Sequence, residues 1–308
     1  MKVGVCVPTR PRCPELRHLN CPPTLHDLAP GYRVARWDHP RALSARSRDR
    51  LHITLRDLAE RAFGADHSGY WHTRVQSGFF DRITTLALIL GPDDTPVGWG
   101  GYHRLRLASR RSLYLDAAGV VPAHRRFGLS TALMTHFLTR EVLAHPLSNT
   151  YVVLRTRHPA VYAGWRRGLG TRRVFPDRHR ALPSLIRRLA GEAAEWLGDG
   201  PRLHPDTLVV RDAYRMFDGD IYGIRPRSGD TGIDDYFDDT VGPKDAVLVV
   251  ARTNVHALAR VAAARRLRAR LRHRTANGTR PAPDHTEDVR TATPTGAGAS
   301  GLLSTPRT

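Results

Sequence analysis

The chain has 308 residues, of which 41% are hydrophobic, a composition that suits a globular protein of one or two domains. No window reaches about 18 uninterrupted apolar residues, and the first residues lack the apolar run of a secretory signal. We therefore expect a cytoplasmic protein with no membrane span. The formal net charge of +19 does not by itself assign a nucleic-acid partner, because only Lys2 and Lys244 are lysines and such reliance on arginine indicates a compositional bias.

The first segment of the chain, residues 1–30, is rich in Pro and Cys and shows no hydrophobic periodicity. Its cysteines are Cys6, Cys13 and Cys21, and no two of them form a Cys-x-x-Cys pair. That spacing predicts reduced thiols and no metal site. The segment is predicted to be an irregular lead-in to the folded part of the chain.

Helix and strand patterns follow the lead-in. Leu55, Leu58 and Phe63 lie near one side of a predicted helix over Leu51–Gly64, which ends at its glycine. Apolar runs bounded by turn residues then predict three strands, over Thr84–Leu90, Pro96–Leu105 and Ser112–Val121. The turn sequence GPDDT joins the first two of these strands into a hairpin.

A second helix and further elements follow the third strand. Leu129, Leu133 and Phe137 recur four residues apart and predict an amphipathic helix. A strand over Thr150–Thr156 and a short helix over His158–Gly170 come next. This order of elements predicts an α/β (α+β) domain with a mixed central sheet flanked by helices.

The remaining chain is predicted to extend this domain and then to leave it. The predicted elements are a helix over Pro183–Leu197, an Asp-rich loop over Ser228–Gly242, a strand over Asp245–Thr253 and a basic helix over Val255–Arg274. The Thr, Pro, Gly and Ala content of the last residues predicts a disordered tail. We therefore predict three regions, residues 1–30, a domain over 31–255, and a basic helix with its tail over 256–308.

The stretch VVPAHRRFGLSTALM, Val120–Met134, places two positive charges at the start of a helix, where the helix dipole is already positive. Free backbone N–H groups at such a helix start favour anions, and Gly128 lets the backbone approach a ligand closely. Further charge and donors come from Arg125, Arg126, Ser130 and Thr131. The stretch predicts a phosphate or pyrophosphate site. The alternative is an ordinary strand–turn–helix junction with Ser130 as its cap.

This stretch resembles the acetyl-coenzyme A signature of the GNAT superfamily of N-acyltransferases, which falls here on Val120, Pro122, Arg125, Gly128, Ser130 and Leu133. Ser130 departs from the signature, because the family usually has Gly or Ala there. The hairpin LGPDDTPVGWGGYHRL and the strand YVVLRT are also similar to the family's. The resemblance covers about Asp27–Phe175, best over 31–175, with 176–255 as an extension. It implies a mixed, mostly antiparallel central sheet.

The resemblance implies acetyl-CoA as the co-substrate and no metal. The family's sheet splays open after the cofactor strand, and pantetheine lies in the gap. Val120 and Val121 would bind the pantetheine arm, and a backbone N–H there would polarise the thioester carbonyl. The resemblance places the pyrophosphate on the backbone amides of Arg126, Phe127, Gly128, Leu129, Ser130 and Thr131, with Arg125 beside them.

The residues that handle protons match the family less well. His158 stands where the family has an asparagine, and it is expected either to contact the cofactor or simply to begin the helix before Pro159. Trp165 stands at the position of the tyrosine that protonates the thiolate, but an indole cannot supply a proton. Tyr162, one turn earlier, is the candidate acid in its place. Asp116 is the candidate base, and His103 is an alternative to it.

The sequence thus predicts an enzyme that transfers an acetyl or short acyl group from acetyl-CoA to an amine by direct attack in a ternary complex. The acceptor stays open among a peptide N-terminus, a lysine, an antibiotic and a polyamine. The alternative is a GNAT-like binding or regulatory protein with little turnover. In that alternative, residues 256–274 contact nucleic acid or a protein partner. The sequence leaves the oligomeric state open.

Overall fold

The computed structural model of the chain describes residues 16, 18–217 and 227–263. Ten strands of the described chain form one sheet: β1 (Thr24–Ala29), β2 (Tyr32–Trp37), β3 (Thr85–Leu90), β4 (Pro96–Leu107), β5 (Arg110–Leu115), β6 (Gly119–Val120), β7 (Thr150–Thr156), β8 (Val174–Phe175), β9 (Val209–Val210) and β10 (Ala246–Thr253). The α-helices are α1 (Ala45–Phe63), α2 (Ser68–Gln76), α3 (Phe79–Arg82), α4 (Leu129–Leu143), α5 (Pro159–Leu169), α6 (Ser184–Trp196) and α7 (Thr231–Thr240). Residues 255–263 are also helical.

The strands of the sheet lie in the order β1-β2-β3-β4-β5-β7-β10-β8, with β6 paired to β4 and β9 paired to β10. Every pairing is antiparallel except that of β5 with β7. Helices pack against the sheet, so the predicted α/β fold with a mixed, mostly antiparallel sheet is confirmed. No helix in the described part of the chain is both long and apolar enough to span a membrane.

The parallel pair separates partway along its length. The β5–β7 ladder runs from Ser112 opposite Tyr151 to Leu115 opposite Leu154 and then stops. Beyond that point the chain continues as β6, which stays on β4, while β7 stays on β10. A gap therefore opens between β6 and the end of β7, as the sequence resemblance implies.

Local signals explain where helix α1 begins and ends, and a glycine explains how closely α4 packs on the sheet. Helix α1 begins after Ser44, whose Oγ accepts a hydrogen bond from Ser47 N, and it ends at Gly64 in the left-handed region with φ 71°. Helix α4 packs closely on β4, because a Cβ added at Gly100 would lie 2.9 Å from Leu133 Cδ2. The glycine therefore brings the start of α4 close to the sheet.

The core has two parts, and residues along β10 alternate between them. Val247, Val249 and Ala251 belong to the cluster that also contains residues of α1, α4, α5 and α7. Leu248 and Val250 belong to the cluster that includes α6. The sheet is therefore covered on both faces, as its almost continuously apolar central strands require.

Three of the element predictions are wrong. Part of the predicted irregular lead-in is strand β1, which pairs with β2. The predicted strand Ser112–Val121 is divided into β5 and β6, because the chain leaves the regular ladder after Leu115. The predicted loop Ser228–Gly242 contains helix α7.

Helix α7 shows why the Asp-rich sequence was misread. The Asp230 side chain accepts a hydrogen bond from Ile233 N and caps the helix, and Phe237 is fully buried. Aspartate favours a helix start because it satisfies free N–H groups and complements the dipole. The same residues that indicated a loop therefore begin a helix.

The predicted domain boundaries stay a prediction. The first residues of the predicted basic helix, 255–263, are helical, and its remainder and the predicted disordered tail lie outside the described residues.

Candidate active site

The turn between β6 and α4 holds its backbone in two left-handed conformations, at Arg126 with φ 70° and at Gly128 with φ 72°. The first helical hydrogen bond of α4 is donated by Ala132 N to Gly128 O over 2.9 Å. Within the described chain, none of the backbone N–H groups from Arg126 to Thr131 has an acceptor. A run of free N–H groups at a helix start is an anion-binding arrangement.

The side chains around this turn leave its surface open. Ser130 and Thr131 are exposed, Phe127 is 62% exposed, and a Cβ added at Gly128 would meet no atom within 4 Å. Leu129 is the exception, since it is buried and anchors the first turn of α4 in the core. The turn therefore presents mainly its backbone to a ligand.

Arg125 holds the turn in place. Its Nε donates to Val120 O over 3.1 Å, and its Nη2 donates to Ala62 O in the last turn of α1. A cation at the end of α1 is also favourable for that helix's dipole. Arg126, by contrast, is exposed and has no ion pair within the part of the chain that is described. Of the two arginines, Arg126 is the one free to reach a bound anion.

The register of β6 determines which valine faces the gap. Gly98 lies opposite Val120, and Val121 N donates to Val97 O over 3.0 Å. Because backbone groups alternate sides along an antiparallel strand, the N–H of Val120 points away from β4, toward the gap. Of the two predicted residues, Val120 therefore supplies the available donor and Val121 supports the strand.

A buried charged cluster lies where the gap begins. Asp116 follows β5, and its carboxylate accepts hydrogen bonds from His103 Nε2 at 2.8 Å, from Arg74 Nη2 and from Ala117 N at 2.6 Å. Burial by itself would raise the pKa of this carboxyl, but the Arg74 charge and the His103 hydrogen bond hold the pKa well below its usual range. Asp116 is therefore ionised, and both of its oxygens are occupied.

His103 is occupied in the same way. Its Nδ1 lies 3.0 Å from Arg82 O, and its Nε2 lies 2.8 Å from Asp116 Oδ2. Asp116, the predicted base, and His103, the alternative, therefore hold each other in position.

Aromatic rings lie around this cluster. The ring of Trp196 lies 4.9 Å from that of His103 and 5.2 Å from that of Tyr114. Tyr70 and Phe217 are stacked 5.2 Å apart. These rings come from α2, β5, α6 and the segment that follows β9, so no spacing in the sequence could have indicated that they meet. Trp196 is 40% exposed, so it is the solvent-accessible ring beside His103.

The predicted acid lies in the first turns of α5. Tyr162 is buried, its hydroxyl donates to Pro176 O over 2.5 Å, and the same oxygen accepts from Arg166 Nη1 at 2.8 Å. Burial raises the pKa of Tyr162. Trp165 is half-buried against the core. The Tyr162 proton is therefore held by a backbone carbonyl.

His158 lies at the start of α5, directly after β7, and its backbone N donates to Thr156 Oγ1 over 3.0 Å. The structure therefore places His158 and the Arg126–Thr131 turn beyond the carboxyl ends of neighbouring strands, where α/β sheets commonly bind ligands. The catalytic and binding roles predicted for these residues stay predictions. No group of three or more His, Cys, Asp or Glu side chains among the described residues could hold a metal ion.

No protein-family model and no curated protein matches the chain. Among solved structures, it is similar to a GNAT family N-acetyltransferase from Escherichia coli in complex with CoA, at 16% identity and a TM-score of 0.30, over 37% of this chain and 61% of that chain. A GNAT family acetyltransferase from Brucella melitensis in complex with acetyl-CoA matches at 12% identity and a TM-score of 0.29, over 39% of this chain and 74% of that chain.

The ribosomal-protein-S18-alanine N-acetyltransferase from Escherichia coli matches at 12% identity and a TM-score of 0.38, over 72% of this chain and 95% of that chain. Two of these three structures are named as GNAT family acetyltransferases. At these identities and TM-scores the likeness carries no argument about function, which has to be inferred from the site itself.

Proposed function

We propose that the protein is a GNAT-type N-acyltransferase that transfers an acetyl or short acyl group from acetyl-CoA to an amine. The observation that carries the proposal is the run of free N–H groups from Arg126 to Thr131 at the start of α4, beside the gap in the sheet. A diphosphate fits the turn because donors and helix dipole point to the same place. The gap beside β6 fits an extended arm that requires backbone donors.

The backbone of β6 supplies the groups for the transfer step. The N–H of Val120 stabilises negative charge on the thioester oxygen as the amine nitrogen attacks the carbonyl carbon. The new C–N bond forms as the C–S bond breaks, and the electron pair of that bond leaves on sulfur. One proton leaves the amine nitrogen and one is taken up by sulfur. Positioning of the two substrates supplies most of the acceleration in such a scheme.

Asp116 and Tyr162 are proposed to serve these two proton transfers, as base and acid, and each has to release a hydrogen bond first. Asp116 would exchange Arg74 or His103 for the substrate ammonium, and Tyr162 would exchange Pro176 O for the sulfur. The cytoplasmic location expected from the sequence belongs to the same proposal.

A thermal shift measurement with acetyl-CoA tests the binding part of the proposal. A ligand at about 100 times its Kd stabilises the folded protein by about 2.7 kcal/mol, which raises Tm by several degrees in a chain of this size. We expect such a shift with about 1 mM acetyl-CoA, which is about 100 times a Kd of about 10 μM. An unchanged Tm would remove the basis for the proposal.

A second candidate is a GNAT-like protein that binds acetyl-CoA without appreciable turnover. The occupied hydroxyl of Tyr162, the occupied carboxylate of Asp116 and Trp165 at the expected tyrosine position favour it. A screen for thiol release across peptide, lysine, aminoglycoside and polyamine amines separates the two candidates. Release with one amine class establishes the enzyme, whereas a thermal shift without release from any class establishes the binding protein.

A further inference from the structure

A cavity lies at the opposite end of the β5–β7 pair from the Arg126–Thr131 turn. It has a volume of about 840 Å³ and is bounded by the far end of the β4–β5 hairpin and by the connection from α4 to β7. Arg110 and Arg111 on its wall begin β5, and Tyr151 on its wall is the second residue of β7. The cavity is therefore at the amino ends of the two parallel strands, whereas the Arg126–Thr131 turn lies beyond their carboxyl ends.

A buried carboxylate holds two of the arginines on the cavity wall. Glu141 is 1% exposed and accepts from Arg104 Nη2 at 2.7 Å, from Arg104 Nε at 3.0 Å and from Arg111 Nη2 at 2.9 Å. Burial alone would raise the pKa of Glu141, but hydrogen bonds from Arg104, Tyr102 and Arg111 lower it to about 2. Each guanidinium retains further N–H donors beyond those bound to Glu141. Glu141 therefore holds Arg104 and Arg111 in place, and each of them retains N–H donors for a ligand.

The other two arginines on the wall have no carboxylate partner within the described residues. Arg106 and Arg110 are exposed and form no ion pair there. Arg106 also lies directly opposite Arg111 in the β4–β5 ladder. Like charges facing each other across strands are destabilising. A bound anion would remove this cost, so the arrangement points to an anionic ligand.

We propose that this cavity, lined by Arg104, Arg106, Arg110 and Arg111, binds the phosphate backbone of a nucleic acid. Guanidinium groups match phosphate oxygens in pairs, and His145 and Asn149 on the same wall add polar groups. The one aromatic residue on the wall, Tyr151, is 6% exposed and cannot stack on a base. Contacts to the backbone, independent of sequence, are the binding mode that this wall supports.

The neighbourhood of the cavity favours an extended polyanion over a small phosphate. Asn149 on the wall accepts a hydrogen bond from Asn254 Nδ2 at 3.1 Å, and the helical residues 255–263 begin directly after Asn254. These helical residues contain Arg260 and no Asp or Glu. The helix that begins beside the cavity wall therefore adds one arginine and no acidic side chain, which favours a polyanion.

Binding of a 20-base-pair duplex DNA, followed by fluorescence anisotropy on the full chain, tests the proposal. The double variant Arg106→Ala/Arg110→Ala is expected to weaken binding at least 10-fold at 100 mM salt and to reduce the slope of log K against log salt by about 2, because each phosphate contact contributes about 0.9. Arg188→Ala is the matched control, since Arg188 is exposed on α6 and does not line the cavity. We expect it to change the affinity less than about 2-fold.

Equal affinities of the double variant and the control for duplex DNA would overturn the proposal. Inorganic triphosphate and poly-glutamate are the comparison ligands. Loss of triphosphate binding in the double variant, with duplex binding unaffected, would identify a small phosphate ligand instead. Binding of poly-glutamate that depends on Arg106 and Arg110, without such dependence for the duplex, would identify an acidic protein. The thermal shift with acetyl-CoA should be the same in the double variant as in the wild type, which shows that the variant is folded.

Discussion

We propose an anion site at each end of the β5–β7 pair, and the two sites use different groups. At the carboxyl ends, backbone N–H groups from Arg126 to Thr131 are free, while the Arg125 guanidinium is bound to backbone carbonyls. At the amino ends, arginine side chains line the cavity and Glu141 holds two of them. Backbone donors depend on φ angles, whereas side-chain donors depend on charge. Anion binding at the carboxyl ends should therefore be lost when the backbone conformation of the turn changes. Anion binding at the amino ends should be lost when the arginine charges are removed.

Gly128→Asp should have the largest effect and should act on the first end alone. The substitution puts a negative charge at the turn and an L side chain at φ 72°. We expect acetyl-CoA affinity to fall at least 100-fold, measured by calorimetry or by loss of the thermal shift, because the charge repels the phosphates and the turn loses its conformation. Duplex DNA binding should not change.

Gly198→Asp is the matched control for this variant. Gly198 has the same φ of 72°, and a Cβ added there also meets no atom within 4 Å. It lies just after α6, so it reproduces the backbone cost without altering the turn. Normal acetyl-CoA binding by Gly128→Asp would show that the turn is not the phosphate site. A loss shared equally by both variants would show only that such strain is not tolerated.

Glu141→Gln should have an intermediate effect, on stability at the second end. Removing the charge leaves Arg104 and Arg111 without their buried partner, so we expect the free energy of unfolding at pH 7 to fall by about 2–3 kcal/mol. The pKa of Glu141 is lowered to about 2. Its contribution, about 3 kcal/mol from a shift of this size, is complete above the ordinary carboxyl pKa and is lost as the pH falls toward 2.

Urea unfolding at pH 7 and at pH 3 measures this effect. The difference in stability between wild type and Glu141→Gln should shrink at the lower pH. Asp206→Asn is the control, because Asp206 forms an exposed ion pair with Arg187 and should contribute less than about 1 kcal/mol. An equal loss in Glu141→Gln at both pH values would contradict the assigned charge.

Tyr162→Phe should have the smallest effect on stability. It removes the hydrogen bond to Pro176 O, and we expect a loss of about 1 kcal/mol in the free energy of unfolding. Because Tyr162 is the proposed acid, we also expect kcat to fall about 100-fold with KM unchanged. Turnover within about 3-fold of wild type would show that the engaged hydroxyl does not protonate the sulfur.

The sequence was most informative where a signal is local. The limits of β7 agree with the predicted Thr150–Thr156, and α5 ends at Leu169 before Gly170, because apolar runs and glycines act within a few residues. The sequence was least informative about α7, where the aspartates favour a loop and the spacing of the apolar residues favours a helix. The cluster of Arg74, His103 and Asp116 joins residues from three separate elements, so no local pattern contained it.

The sequence by itself determined that a glycine-containing turn joins a buried strand to an amphipathic helix, because glycine, helix start and periodicity are properties of neighbouring residues. Only the tertiary structure decided which groups of that turn are free. Arg125 is bound to α1, Val121 to β4 and the Tyr162 hydroxyl to Pro176, so Arg126 and the N–H of Val120 are the available ones. These partners are set by strand register and by helices distant in the chain, which local pattern cannot specify.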